Sequence, residues 1–242
     1  MMRVLITNDD GISSIGIRTL ISSVRGLGWE AVIVAPKNHM SGASRGRISN
    51  TVTNWQKVDL GYGYDSYAVD GSPAACVVFA ITSGLFEKFE LCISGINAGE
   101  NLGSGILISG TFGAVLEAAS YEVNGIALSR EYDNANNIFE DPENWDWNET
   151  GTVTRRVLET LVASSDWKIA NVNIPAIATA KTRYNKTTIS RESYFSDTYD
   201  LEKKCIISGI GYKRDKLLKT DDIYVLKENR EIGITYLDGI LK

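Results

Sequence analysis

Val4-Leu5-Ile6-Thr7-Asn8-Asp9-Asp10-Gly11 is the stretch whose reading decides the fold. Its first half, VLIT, is a short β-type run; its second half is a cluster of turn formers that ends the run abruptly. Ile17, Leu20, Ile21, Val24 and Leu27 follow at helical spacing, closed by Gly26 and Gly28. Ala31–Ala35 (AVIVA) is a second apolar run, stopped by Pro36. Strand, helix and strand in this order, with near-continuous apolar strands, predict a βαβ unit in a parallel sheet covered on both faces.

The rhythm continues outward from that unit. Ser72-Pro73 predicts a helix start, since proline fits a first turn, and the helix is expected to reach about Leu85. Strands are expected at Leu91–Ser94, Gly125–Ser129 and Ile169–Ile174, the last stopped by Pro175, with helices over Thr111–Tyr121 and Thr152–Ser164. This is an α/β, doubly wound, mostly parallel core through about residue 178.

Two segments depart from it. Glu131–Glu149 holds seven acidic residues and no Lys or Arg, with Tyr132, Phe139, Trp145 and Trp147 among them. It reads as a solvated surface insertion in preference to a lid. Beyond residue 180 the chain turns polar, apart from a last apolar run at Ile232–Leu237. The expected division is therefore a core over 1–180 and a β-rich C-terminal arm over 181–242, outside the main sheet.

Composition removes several classes of function. Lys and Arg number 25 against 30 Asp and Glu, a net charge of −5, opposite to the balance of a nucleic-acid polymer binder. No apolar run approaches the roughly 20 residues of a membrane helix. The opening MMRVLITNDD does not read as a signal peptide, and the odd count of three cysteines without CxxC spacing suggests reduced thiols. A cytoplasmic chain is the expectation. The single histidine, His39, means that catalysis must lean on carboxylates, hydroxyls, amides or a hard metal.

Ligands of an open parallel sheet bind beyond the carboxyl ends of its strands. Asp9 and Asp10 leave the first strand there, and adjacent carboxylates repel unless a cation or hydrogen-bond donors hold them. A hard divalent ion, Mg²⁺ or Mn²⁺, is the economical partner. The competing reading makes Asp10 the cap of a helix that begins near Ser14. A second cluster places Gly95, Gly99, Gly103, Gly105, Gly110 and Gly113 around Asn97, Asn101, Ser104, Ser109 and Thr111. Ser109-Gly110-Thr111 opens a helix whose free N–H groups suit a phosphate; the alternative is a glycine-rich turn that packs helix on sheet. Ser41-Gly42-Ala43-Ser44 follows the second strand and reads either as a ligand loop or as a surface turn. His39 beside it reads as an idle loop histidine before a general acid. An anion cradle beside a carboxylate pair suggests phosphate-ester chemistry.

These motifs together resemble the SurE family of stationary-phase survival nucleotidases. The resemblance is carried by Ile6-Thr7-Asn8-Asp9-Asp10-Gly11, Ala35-Pro36 with Ser41-Gly42-Ala43-Ser44, and Gly71-Ser72-Pro73-Ala74. Ser94 to Gly103 (SGINAGENLG), Ser109-Gly110-Thr111 and Asn171-Val172-Asn173-Ile174-Pro175 complete it, collinear from residue 3 to about 175. It implies a Rossmann-like core and a divalent-metal-dependent phosphomonoesterase acting on nucleoside 5′- or 3′-monophosphates. One metal ion per subunit is implied on Asp9, Asp10, Ser41 and Asn97. Phosphate contacts are implied at Asn8, Gly42, Asn101, Ser109, Gly110 and Thr111, with Asp9, Asn101 and Ser109 as catalytic residues. A homodimer or homotetramer exchanging C-terminal arms is implied as well.

The chain departs from the family pattern in places. Lys37, Asn38, His39 and Met40 stand where an acid and Arg-Asn-Arg are usual, and Ala75 stands where Asp is usual. Ser104-Gly105 replaces an acid-bearing segment, Ile108 replaces a frequent Tyr, and the acidic insertion is longer than usual. Lost arginines remove guanidinium contacts, which bears on substrate choice. The rival readings are a phosphatase of a different small phosphate ester, a Mg²⁺-binding receiver-like module, and a catalytically quiet, metal- or nucleotide-binding member that binds a ligand or partner through these altered loops.

Overall fold

The computed structural model describes residues 1–47, 53–133, 142–164 and 166–239. Its centre is a parallel sheet built from β1 (Arg3–Thr7), β2 (Glu30–Pro36), β4 (Asp65–Val69), β5 (Leu91–Ala98), β6 (Asn124–Arg130) and β7 (Ile169–Ile174). Three further strands extend it: β3 (Trp55–Val58), β8 (Tyr184–Thr187) and β11 (Ile232–Tyr236). The order is β3-β4-β2-β1-β5-β6-β7-β11-β8, with β3 antiparallel to β4 and β11 antiparallel to β7.

Strand β1 alternates its side chains between two cores, which is why VLIT is apolar throughout. Val4 and Ile6 join one cluster with Ile17, Leu20 and Val24 of α1 (Ile15–Gly26) and Val153, Val157 and Leu161 of α4 (Asn148–Ala163). Leu5 joins the other, with Cys76, Val77 and Ala80 of α2 (Pro73–Thr82) and Ala114 and Ala118 of α3 (Gly110–Ala119). Both faces are covered, as a period-2 strand inside a doubly wound fold requires.

From β1 the chain winds outward through β2 to β4 on one side and through β5 to β7 on the other. The switch point therefore lies between the carboxyl ends of β1 and β5, where Thr7 is registered against Ser94. A crevice at that point is the place where doubly wound folds bind ligands. The α/β, Rossmann-like expectation holds.

Two expectations need correction. Segment 181–242 does not lie wholly outside the main sheet, because β11 pairs with β7 and β8 pairs with β11. Ile232 and Ile234 are buried in the main core, and the short, polar β8 gave no apolar signal. Among the described residues only the hairpin of β9 (Phe195–Asp200) and β10 (Cys205–Ile210) forms a separate sheet. The described part of the acidic insertion is not a solvated loop either. Trp145 and Trp147 are buried, and both lie over the guanidinium of buried Arg130, at 4.6 and 5.4 Å from the ring centroids. Phe139 falls outside the described residues.

A candidate active site at the switch point

The helix after β1 is capped by Ser14, whose hydroxyl accepts the Ile17 N–H at 3.4 Å. Asp10 is thereby freed from the capping role. Asn8 donates both amide hydrogens within the same loop, to the Gly11 carbonyl at 2.9 Å and the Ser14 hydroxyl at 2.8 Å. Its side-chain N–H groups thus brace the acidic turn.

Asp9 is buried and faces the start of α3. The Thr111 hydroxyl donates to Asp9 Oδ1 at 2.5 Å. Gly110 is needed here, because a Cβ on it would lie 2.8 Å from Asp9 Oδ2. The anion that first meets this helix N-terminus is thus the protein's own carboxylate. Burial drives the Asp9 carboxyl above its ordinary range against the opposing hydrogen bonds from Thr111. Asp10 accepts the Ala98 N–H at 3.0 Å, and burial together with the Asp9 charge pushes it up to about 7. His39 Nδ1 lies 3.6 Å from Asp10 Oδ1, with its own side chain largely exposed.

The bond from Ala98 brings the end of β5 against Asp10, and with it Asn97. The Asn97 amide donates to the Gly99 carbonyl at 2.7 Å, which leaves its Oδ1 as an acceptor. The loop after β2 is drawn in at two points. Met40 N–H donates to the Asp9 carbonyl at 2.7 Å, and the Ser44 hydroxyl donates to the Leu107 carbonyl at 2.8 Å. Ser41 and Gly42 sit exposed between those anchors, and the Ser41 hydroxyl has no hydrogen bond among the described residues.

Asn101 is held by β6 and β7. Its N–H donates to Asn173 Oδ1 at 2.8 Å, and its carbonyl accepts from Asn171 and Asn173, each at 3.0 Å. Its amide donates to the Ser129 hydroxyl at 2.9 Å. Ser109 caps α3, its hydroxyl accepting the Phe112 N–H at 3.1 Å, so its own proton is left to donate outward. The Ser109-Gly110-Thr111 turn, the acidic pair, Asn97 and the Ser41 loop therefore meet at one edge of the sheet.

Several residues of this site carried no sequence expectation of a role. Asn171 and Asn173 share one face of β7 through their period-2 spacing, which is the signal that marks them as a pair aimed at one partner. Tyr132 covers Gly99, and Glu100 accepts the Tyr132 N–H at 3.0 Å. Lys227 of α5 (Asp222–Lys227) reaches Glu100 from the far end of the chain, a contact that no local pattern announces.

Among the described residues no Lys or Arg pairs with Asp9 or Asp10, and no group of three or more His, Cys, Asp or Glu gathers to hold a metal. Buried Asp9 and half-buried Asp10, without a Lys or Arg partner and beside an amide oxygen and a hydroxyl, nevertheless make an all-oxygen donor set suited to a hard divalent ion.

Fold and site together define a doubly wound α/β protein with an acidic pair and a helix N-terminus at its switch point. The family model described as "Survival protein SurE" matches residues 4–196. The chain belongs to the SurE family. It is 36% identical to the "5′-nucleotidase SurE" of Thermococcus kodakarensis over 97% of this chain and 91% of that one. It is 34% identical to the protein of that name in Methanocaldococcus jannaschii, over 98% and 91% of the two chains. The SurE crystal structure from Aquifex aeolicus superposes with a TM-score of 0.78 at 24% identity, covering 99% of this chain and 94% of that one. That likeness speaks to the fold.

Proposed function

We propose that the protein is a divalent-metal-dependent phosphomonoesterase that hydrolyses nucleoside 5′- and 3′-monophosphates to nucleoside and phosphate. The carrying observation is the adjacent Asp9–Asp10 pair, paired with no Lys or Arg among the described residues, with buried Asp9 set against the α3 N-terminus at the switch point. The name 5′-nucleotidase borne by its relatives supports the same substrate class.

Asp9, Asp10, Ser41 and Asn97 would hold one Mg²⁺ or Mn²⁺ ion. When bound, the ion supplies positive charge against the phosphoryl oxygens and Lewis acidity toward the attacking water. The chain's own groups do the rest. Asp9, oriented by Thr111, accepts a proton from that water. The Ser109 hydroxyl, the Gly110 N–H and the α3 dipole receive phosphoryl oxygens. Asn101, fixed by its asparagine partners, presents a rigid polar group to the phosphate, and Gly42 leaves the facing loop open. Phosphoryl transfer asks mainly for positioning and charge neutralisation, so the lack of a catalytic histidine is no obstacle.

The partner is a small phosphate ester. We further propose a homodimer or homotetramer built through the β9–β10 hairpin, which exposes Tyr199, Leu201, Ile206 and Ile207. Among the described residues no helix is long and apolar enough to cross a membrane.

The test is phosphate release from nucleoside 5′- and 3′-monophosphates and sugar phosphates, each with EDTA, Mg²⁺ or Mn²⁺. The expected result is metal-dependent release from the nucleotides. Release that EDTA leaves untouched would overturn metal dependence, and release confined to other esters would move the substrate.

A further inference from the structure

The residues that follow β6 place an aromatic hydroxyl against Gly99, the neighbour of Ala98, whose N–H donates to Asp10 at 3.0 Å. A Cβ built on Gly99 would lie 2.6 Å from Tyr132 Cζ and 2.7 Å from its hydroxyl oxygen. The tip of the ring, and not its flank, therefore rests on the Gly99 backbone, two residues past Asn97. Glu100 pins the Tyr132 backbone at its N–H, at 3.0 Å.

The ring is propped from behind. Trp145 meets it edge-on, with centroids 5.8 Å apart at 86°, and Trp147 stacks on Trp145 at 5.9 Å and 17°. Arg130 ties this stack to the end of β6. It bonds to Thr150 at 3.1 Å, to the Glu131 carbonyl at 3.0 Å and to Asp133 at 2.6 Å. The packing uses the ring; among the described residues no hydrogen bond uses the hydroxyl. Burial, with the charges of Glu100, Asp10 and Asp9, pushes that phenol up to about 12, so at neutral pH it is a proton-bearing donor. A neutral donor resting on the residue that follows the Ala98 anchor of Asp10 is suited to an anion that the carboxylates would otherwise repel.

We infer that Tyr132 is a substrate-contacting residue whose hydroxyl donates a hydrogen bond to the phosphoryl group at the Asp9–Asp10 site, with Trp145 and Trp147 as the prop that holds it there. The inference rests on the phosphoesterase reading and adds a residue to it from outside the family motifs quoted above. It assigns Tyr132, Trp145 and Trp147 of the acidic insertion a role in substrate binding.

The test compares wild type with Tyr132→Phe, which keeps the ring, and with Trp145→Ala, which removes the prop. A lost hydrogen bond to a charged group predicts a fall of about 10- to 100-fold in kcat/KM. Because the contact is with the phosphoryl group, nucleoside 5′-monophosphate and p-nitrophenyl phosphate should fall together, with an unchanged melting temperature for Tyr132→Phe. Inorganic phosphate, titrated calorimetrically in the presence of Mn²⁺, should bind both variants at least tenfold more weakly. Phosphate affinity and kcat/KM within twofold of wild type in Tyr132→Phe would overturn the inference, as would a loss confined to the nucleotide. A folded Trp145→Ala that binds phosphate like wild type would overturn the prop. Should wild type release phosphate from no ester, the phosphoesterase reading fails, and the calorimetry still decides whether Tyr132 meets phosphate.

Discussion

The two ends of the chain contribute to the site by opposite means. The amino-terminal contribution is compact: Asn8, Asp9, Asp10 and Ser14 lie within one turn and are placed by backbone geometry and a helix cap. The carboxy-terminal contribution is made of long side chains that reach back across the fold. Lys227 pairs with Glu100, whose side chain is fully buried, and with Glu131 at 2.9 Å, while the Tyr194 hydroxyl donates to the same Glu100 carboxylate. Asp222 accepts the Gly103 N–H at 2.9 Å. Helix α5 thus grips the glycine-rich loop on both sides of Asn101. The first region supplies groups that can react, and the second holds a loop that would otherwise be free to move.

That division predicts different signatures. Asp9→Asn should lower kcat by about 10³-fold or more, in the range set by losing a general base. Its stability should be unchanged or higher, because a buried like-charge repulsion goes with it. Steady-state kinetics beside thermal unfolding would check both. A variant that keeps most of its metal-dependent turnover removes Asp9 from the reaction.

Lys227→Met is the counterpart in the second region. It leaves Glu100 buried without its cation, which costs about 3–5 kcal/mol. Urea unfolding should show the loss, and kcat should fall with it because Asn101 sits on the loosened loop. Rescue by Glu100→Gln in the same chain would separate an uncompensated charge from a lost contact. If stability falls and turnover per folded molecule does not, the C-terminal segment is scaffold only.

The contrast also explains what the sequence made legible. The NDDG turn, SGIN and SGT were readable because each is a local run at a strand end or helix start, where residue type and backbone conformation are tightly linked. Strand β4 passed without notice because its apolar run is short and follows the polar turn DLGYGYD, and β3 is an exposed edge. The Lys227–Glu100 and Asp222–Gly103 contacts link positions 127 and 119 residues apart. Nothing in a single sequence marks such a Lys or Asp as different from a surface residue. The acidic run after β6 misled for the same reason. Glu131 is buried against Arg230 at 2.6 Å and Lys227, which its composition does not disclose.

Glu131 adds a pH test of the second region. Burial alone would raise its carboxyl; the hydrogen bonds from Arg230 and the Lys227 charge overcome this and hold it below the ordinary 4.5. A depressed folded-state value stabilises the protein above the unfolded value and is lost as pH falls through the folded one. Glu131→Gln should therefore be less stable by about 2 kcal/mol at neutral pH, the scale of hydrogen bonds to a charged group. The gap from wild type should close as the pH drops below about 4.5. Thermal unfolding from pH 3 to 8 would show it, and a gap that stays constant with pH would mean the ion cluster contributes nothing through charge.

The smallest effect belongs to the first region and tests whether its cap also braces the acidic turn. Ser14 does two things with one oxygen: it accepts the Ile17 N–H and it accepts the Asn8 amide. Ser14→Ala removes both and should cost about 1 kcal/mol as a lost N-cap, whereas Ser14→Gly recovers most of the capping energy but not the bond to Asn8. If that bond steadies Asp9 and Asp10, the glycine variant should regain stability while keeping a reduced kcat, several-fold below wild type. Recovery of both together would make Ser14 a cap and nothing more, and would leave the Gly11 carbonyl as the anchor of Asn8.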